Sequence, residues 1–374
     1  MILPGATLGL LGGGQLGRMF TIRAREMGYR VTVLDPDPAS PAGQVADRHL
    51  AAAYDDPAAL DELARTCAAV TTEFENVPAE SLRALAARVT VRPPVDAVAV
   101  AQDRIAEKTF LRDHGFPTAP FRAVAAPVDL RPAFAAVGPP ALLKTSRLGY
   151  DGKGQATVST PAELEQAFAR FGGVPCVLER RLDLQAELSI VLARGADGDV
   201  RPFPAAENRH RDGILETTVV PATVPDRLAA EALELAGRVA AALEYVGVLA
   251  VEMFVAEGAL SVNELAPRPH NSGHWTLDAC ATDQFEQQLR ALCGLPLGAA
   301  ELLSPVAMVN LLGDLWAGGE PRWEEAFRRP GVKLHLYGKA EARPGRKMGH
   351  CNVLARTPEL ALQRALEARD ALRR

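Results

Sequence analysis

The apolar run Ala6–Leu11 stops at Gly12-Gly13-Gly14, helical spacing follows over Gln15–Met27, and a second short apolar run, Arg30–Leu34, comes next. A strand, a glycine turn, a helix and another strand at this spacing build neighbouring parallel strands with the helix crossing over one face. Val45–Leu50, Leu60–Arg65, Ala68–Glu73 and Glu80–Ala87 continue the alternation. Residues 1–95 therefore predict one α/β domain, a parallel sheet covered by helices on both sides.

Arg92-Pro93-Pro94 breaks that pattern, and helical spacing resumes at Val95–Ala101 and Asp103–His114. Pro117–Leu182 reads strand, helix, strand, glycine loop, strand, helix, strand. Longer strands follow at Ala186–Arg194, Val200–Glu207 and Glu216–Pro221, then an Ala-, Leu- and Glu-rich helix at Asp226–Glu244. A hairpin of Val248–Val255 and Ala259–Glu264 turns around Glu257-Gly258. From Glu301 the chain has short strands, including Val332–Tyr337 and His350–Leu354, and it closes with a helix from Pro358. We divide it into residues 1–95, 96–300 with a subdomain at about 117–182, and a small β-rich part at 301–374. A chain of 374 residues suits two to three domains, and its 48% apolar and 23% charged content excludes general disorder.

The formal charge of −5 argues against a nucleic-acid-coating protein. Cys67, Cys176, Cys280, Cys293 and Cys351 are scattered and odd in number, which predicts buried thiols in a reducing compartment. The N-terminal residues lack a basic segment, and glycines interrupt the apolar run before it could span a bilayer. These features predict a cytoplasmic protein with neither a membrane nor a nucleic acid as partner.

Gly12-Gly13-Gly14-Gln15-Leu16-Gly17 satisfies G-x-G-x-x-G between a strand and a helix, and Asp35 ends the next strand. Alone, this suggests a dinucleotide-dependent oxidoreductase. A glycine turn also lets backbone approach any polar ligand, and Asp35, in Asp35-Pro36-Asp37-Pro38, reads more simply as a turn residue.

The middle of the chain carries a fuller constellation. Lys144 ends the apolar strand Ala141-Leu142-Leu143-Lys144, and Gly149-Tyr150-Asp151-Gly152-Lys153-Gly154-Gln155 follows. Only six residues in the chain are lysines, so two of them here favour a phosphate-covering flap over an incidental hairpin turn. Glu252 and Glu264 each stand six residues from Gly258, so a hairpin centred there sets them opposite each other. Facing carboxylates among apolar neighbours call for a neutralising cation, and Mg²⁺ shared with nucleotide phosphates fits, with Asn263 able to add an amide oxygen. Glu179 and Glu187 flank a short linker, a placement suited to adenine and ribose.

The order of Lys144, the 149–155 loop, Glu179, Glu187, Glu252 and Asn263-Glu264 resembles the ATP-grasp superfamily. Within it, the chain resembles the N5-carboxyaminoimidazole ribonucleotide synthetase family of de novo purine synthesis. The stretches that carry this likeness are Gly12–Met19, Thr72-Glu73-Phe74-Glu75, Gly149–Gln155, Asp212-Gly213-Ile214-Leu215, Asn263–Thr276 and Arg343–His350. Leu148 departs from the pattern, where the family usually has glycine.

The resemblance implies an ATP-grasp fold of mixed α/β and α+β class: a Rossmann-like N-terminal domain, the ATP-grasp domain, and a small C-terminal domain. It implies ATP-dependent carboxylation of 5-aminoimidazole ribonucleotide by bicarbonate, through carboxyphosphate and CO₂, in a homodimer. Carried over, Arg104, Lys144, Gly149, Tyr150, Asp151, Gly152, Lys153, Gly154, Gln155, Glu179, Glu187, His210, Asn263 and Glu264 contact ATP. Glu252 and Glu264 hold magnesium. Gln15, Leu16, Glu73, Tyr150, Asp151, Arg268, His270, Asn271, Ser272, Lys339, Arg346 and Lys347 surround the ribonucleotide or bicarbonate. Lys144 and Lys153 would act on the transferring phosphoryl group, and Asp151 would take the amine proton. The basic run Lys339, Arg343, Arg346 and Lys347 suits an anion, here the substrate phosphate. Trp275, Trp316 and Trp323 read as packing residues, and His114 and His335, which have no partner visible in the sequence, as structural. The nearest rival is a sibling such as a formate-dependent glycinamide ribonucleotide transformylase.

Overall fold

In a computed structural model, residues 1–149 and 152–374 are described; Tyr150 and Asp151, both singled out above, lie outside the described residues. The N-terminal alternation forms a five-stranded, all-parallel sheet. Its spatial order is Arg48–Leu50, Arg30–Leu34, Thr7–Leu11, Ala69–Thr72, Thr90–Val91. Chain order reverses direction at Thr7–Leu11, so a crevice opens between the ends of that strand and Ala69–Thr72. Gln15 and Glu73 stand at this crevice.

A second sheet is antiparallel, in the order Phe121–Val124, Cys176–Arg180, Ala141–Thr145, Gln155–Val158. Helices Leu130–Val137 and Pro161–Arg170 cover it, and their buried residues join Leu143, Val158 and Leu178 in one core. The third sheet has nine strands and is antiparallel, from Ala259–Ala266 at one edge to Val332–Leu336 at the other. Helix Asp226–Ala242 packs Leu235, Ala236 and Val239 behind it, against Ile190, Leu249 and Val251. The sheet runs on past residue 300, through Val306–Leu312 and Lys347–Leu354. Helix Gln284–Cys293 joins the first and third sheets. Its Phe285 and Leu289 pack against Leu8 and Leu10. Its Gln288 donates to the Thr71 hydroxyl at 2.9 Å and accepts the Val248 N–H at 2.6 Å.

The stretch read as one strand, Val200–Glu207, is two: Val200–Pro202 and Ala206–Arg211. Pro202 and Pro204 supply no N–H to a ladder, and Phe203 turns into the core against Trp275, ring centroids 6.1 Å apart. Trp316 and Trp323 meet edge to face, ring centroids 5.5 Å apart, as the packing role predicts. His114 and His335 do have partners: the Phe110 carbonyl at 2.9 Å and the Asp278 carboxylate at 2.7 Å.

Candidate active site

The hairpin turn Glu257-Gly258 has φ of 51° and 72°, the pair of left-handed residues that a tight two-residue turn requires. Its ladder is therefore centred between those residues, and regular pairing would set Glu252 opposite Asn263. A bulge intervenes. Met253 pairs with Val262, Glu252 pairs with Glu264, and Asn263 is the extra residue. The two glutamates face each other as the sequence led us to expect, but by means of a bulge. Burial and the Glu264 charge push the Glu252 carboxyl up to about 7. His270 Nε2 lies 3.6 Å from Glu252, and Arg104 lies 3.3 Å from Glu264. Among the described residues no cluster of three or more His, Cys, Asp or Glu gathers as a ready metal site. Two carboxylates and an amide oxygen suit a cation that takes its remaining ligands from phosphates and water.

Arg104 opens helix Arg104–Asp113. Asp103 caps that helix through the Ile105 and Ala106 amides, and also binds the Ser146 hydroxyl and Arg147. The helix start is thereby tied to the strand that leads into the glycine loop. Arg104 donates to the Gly149 carbonyl at 3.2 Å, and a Cβ on Gly149 would stand 2.8 Å from its guanidinium. Gly154, at φ 70°, lies so close that a Cβ would meet the Thr145 hydroxyl at 2.5 Å. Gly152 packs against the Asp212-Gly213 turn. Lys153 is exposed beside it.

Lys144 pairs with Glu179 at 3.2 Å. Burial alone would raise the Glu179 carboxyl, but Lys108 and Lys144 outweigh it and hold it below the usual range. Its second oxygen, Oε1, is buried and has no hydrogen-bond partner among the described residues. Glu179 also lines a cavity of about 290 Å³ with Ala119, Leu142, Lys144, Phe254 and the linker Arg180–Leu184. An apolar slot with one unsatisfied carboxylate oxygen suits a flat heterocycle bearing an amino group. Glu187, on strand Ala186–Arg194 of the nine-stranded sheet, holds His210 Nδ1 at 2.8 Å. Burial would lower the His210 pKa, but Glu187 and Glu252 raise it.

The glycine-rich turn at 12–17 is filled from within. Glu73 accepts the Gly14 and Gly17 N–H groups at 2.7 and 2.9 Å. Asp35 accepts the Gly13 N–H at 2.6 Å and the Tyr54 hydroxyl at 2.6 Å. A dinucleotide pyrophosphate would need those amides.

Three family models cover most of the chain. The ribonucleotide synthetase preATP-grasp domain matches residues 5–102, the ATP-grasp domain 109–285, and the phosphoribosylaminoimidazole carboxylase C-terminal domain 306–364. The N5-carboxyaminoimidazole ribonucleotide synthase of Brucella melitensis biotype 1 is 46% identical over 350 residues, 93% of this chain and 96% of that one. The chain belongs to this family. The Bacillus subtilis member is 44% identical over 95% of this chain and 93% of its own. A crystal structure of an N5-carboxyaminoimidazole ribonucleotide synthetase with ADP superposes with a TM-score of 0.94 at 43% identity, covering 98% and 97% of the two chains. One from Aspergillus clavatus, with ADP and 5-aminoimidazole ribonucleotide, gives 0.89 at 34% identity, covering 98% of each.

Arg268 pairs with Glu75 and donates to the Pro269 carbonyl at 3.2 Å. His270 Nδ1 accepts the Ser272 N–H, which leaves its proton on Nε2, toward Glu252. Burial and the Arg268 charge hold this imidazole neutral, its pKa well below the ordinary value. Asn271 forms a reciprocal amide pair with Asn310, and Ser272 bonds His270; both side chains are turned inward. The Leu16 side chain packs in the N-terminal core, so only its backbone can face a ligand. Gln15 is half-buried at the crevice.

Lys339 donates to the Lys347 carbonyl at 2.7 Å and lies over the Tyr337 ring. Gly338 beside it accepts from Gln44 of the N-terminal domain at 3.2 Å. Arg346 donates to the Glu341 carbonyl at 3.0 Å. Lys347 faces inward, close enough for its charge to act on Glu252, His210 and His270. Leu148 has φ 61°, a left-handed conformation that glycine takes without strain. The sequence reading missed Glu75, Glu107, Lys108 and the adenine-sized slot. Glu75 was visible inside the Thr72–Glu75 motif; Glu107 and Lys108 leave no local mark, because their partners lie on other elements.

Proposed function

We propose that this chain couples ATP cleavage to carboxylation of 5-aminoimidazole ribonucleotide by bicarbonate, giving N5-carboxyaminoimidazole ribonucleotide, ADP and phosphate. The observation that carries this reading is full-length likeness to enzymes of that name, one of them solved with ADP and 5-aminoimidazole ribonucleotide. The adenine enters the slot between Leu142 and Phe254, its amino group facing Glu179 Oε1. Glu187 and His210 take the ribose. Arg104, Lys144 and Lys153 align and neutralise the phosphates, which is most of what phosphoryl transfer asks of a protein.

Glu252, Glu264 and Asn263 are the residues that would hold magnesium, which when bound neutralises phosphate charge. The γ-phosphoryl group passes to a bicarbonate oxygen and ADP leaves. Carboxyphosphate then breaks its C–O bond to give CO₂ and phosphate, and the substrate amine attacks CO₂ and loses a proton to Asp151. Neutral His270 and the Arg268 guanidinium stand beside the bicarbonate position, and Gln15, Glu73, Lys339, Arg346 and Lys347 enclose the ribonucleotide. Closure of the glycine loop keeps water from the labile carboxyphosphate. Among the described residues no helix is long and apolar enough to cross a membrane. A cytoplasmic homodimer completes the proposal, and light scattering checks the dimer.

ADP release and incorporation of labelled bicarbonate test the reaction. Both should require ATP, bicarbonate and 5-aminoimidazole ribonucleotide together. Turnover with formate and glycinamide ribonucleotide in their place would assign the chain to the sibling activity. Nothing favours the oxidoreductase alternative once Glu73 and Asp35 fill the glycine turn.

A further inference from the structure

Helix Arg104–Asp113 turns three charged residues, at spacings of three and four, toward the carboxylate hairpin. Arg104 belongs to the nucleotide site. Glu107 and Lys108 are each only 1% exposed and have no part in the chemistry above. An internal carboxylate and ammonium are costly to bury unless each meets specific partners.

Their partners lie on the two flanks of the bulge. Lys108 Nζ donates to the Val262 carbonyl at 3.3 Å and to the Thr118 hydroxyl at 3.0 Å. Thr118 donates in turn to the same carbonyl at 2.9 Å. On the far flank, the Leu265 N–H donates to Glu107 Oε1. Only Asn263 and Glu264 lie between these anchors. Cross-strand pairing skips Asn263, so the hairpin ladder does not fix this segment by itself. Lys108 also stands 3.6 Å from Glu179, linking the bulge to the edge of the nucleotide slot.

We propose that Glu107 and Lys108 are positioning residues that clasp the Val262–Leu265 bulge from both ends and thereby aim Glu264 and Asn263 at Glu252 for divalent-cation binding. The clasp rests on the backbone contacts; its consequence rests on the metal reading of Glu252 and Glu264. Neither residue touches substrate.

Two measurements separate these levels. Amide hydrogen exchange reads the clasp: Leu265 N–H should lose protection in Glu107→Ala and keep it in Glu107→Gln, whose amide oxygen still accepts. Mn²⁺ titration in the presence of ADP, followed by electron paramagnetic resonance, reads the consequence. Residues that orient metal ligands typically alter affinity about 10–100-fold, so Glu107→Ala and Lys108→Met should weaken Mn²⁺ binding by at least tenfold. Glu107→Gln should restore it to within about threefold, and ADP affinity in EDTA should change little in both Glu107 variants. If Glu107→Ala fails to fold, Lys108→Met carries the titration alone. Unchanged Leu265 protection in Glu107→Ala, or wild-type Mn²⁺ affinity in a folded Lys108→Met protein, overturns the proposal. Glu264→Gln is the control: if it too leaves Mn²⁺ affinity unchanged, the metal assignment fails, and Leu265 exchange still decides whether the clasp exists.

Discussion

Glu73 accepts the backbone N–H of Gly14 at 2.7 Å, so a carboxylate of the protein itself stands where a dinucleotide loop would hold a pyrophosphate. The glycines are needed for this internal anion as strictly as for a bound one. A Cβ on Gly14 would lie 2.4 Å from Glu73 Oε1. Gly14→Ala must displace Glu73 from the crevice, at about 1–3 kcal/mol for overpacking. We expect a lower melting temperature and weaker ribonucleotide binding, with the KM for ATP nearly unchanged. Calorimetric titration with NAD, NADP or FAD should give no binding at micromolar concentrations. Micromolar affinity for any of them would show that Glu73 yields the loop to a dinucleotide.

Glu264→Gln removes one of the two facing carboxylates while keeping its size. The remaining Glu252 then loses the neighbour that, after burial, does most to raise its pKa. Loss of a ligand that anchors a phosphate-neutralising cation predicts a fall in turnover of about a hundredfold or more, with the fold intact by circular dichroism. Near-normal ADP production by this variant would remove the hairpin from the metal assignment.

This hairpin also shows how far the sequence was legible. Counting six residues to either side of Gly258 found the correct pair, because a bulge offset a turn centred half a residue earlier. Nothing local announces that bulge; it is held by Glu107 and Lys108 from a helix about 150 residues upstream. The glycine loops, the paired carboxylates and the parallel N-terminal sheet were readable because close approach, period and turn chemistry leave local marks. Glu179 was read as a nucleotide residue, but its pairing with Lys144 was not foreseen. His335 looked partnerless because Asp278 lies 57 residues away. Pairings of that kind are made by tertiary packing and leave no mark on spacing.

Arg346 and Lys347 are neighbours with different surroundings, and their variants should separate in kinetics. Arg346 is bonded to the Glu341 carbonyl, and the proposed function puts it on the substrate phosphate. Arg346→Ala should raise the KM for the ribonucleotide by roughly ten- to a hundredfold, for a lost charge-assisted bond of about 1.5–3 kcal/mol. Its KM for ATP should hardly move. The Lys347 charge acts on Glu252, His210 and His270, so Lys347→Ala should instead depress kcat. Steady-state kinetics with each substrate varied separately tests the split. A rise confined to the KM for ATP in Arg346→Ala would place the basic run on the wrong ligand.

Behind the site, His274 and His350 lie fully buried with ring centroids 4.9 Å apart, and His335 stacks on His350 at 4.5 Å. Tyr337 bonds His350 Nδ1 at 2.9 Å, and Gln284 bonds His274 Nδ1 at 3.1 Å. Burial first, and then the charges of neighbouring histidines, hold both imidazoles well below their ordinary pKa. The folded state therefore binds fewer protons than the unfolded state below about pH 6.5, the ordinary histidine value. Their contribution to stability is complete above that pH and is lost as pH falls toward the depressed folded values. Each histidine steepens the loss by up to about 1.4 kcal/mol per pH unit. Asp278 adds a separate loss at lower pH, since its carboxyl, held down by His335 against the effect of burial, must be protonated below the usual range. The urea midpoint should drop between pH 7.5 and 5.5 in the wild type. His350→Gln, which can still bond Tyr337 but cannot take up a proton, should lose less over the same interval. Equal pH dependence in the two proteins would mean that His350 is not held neutral in the folded state.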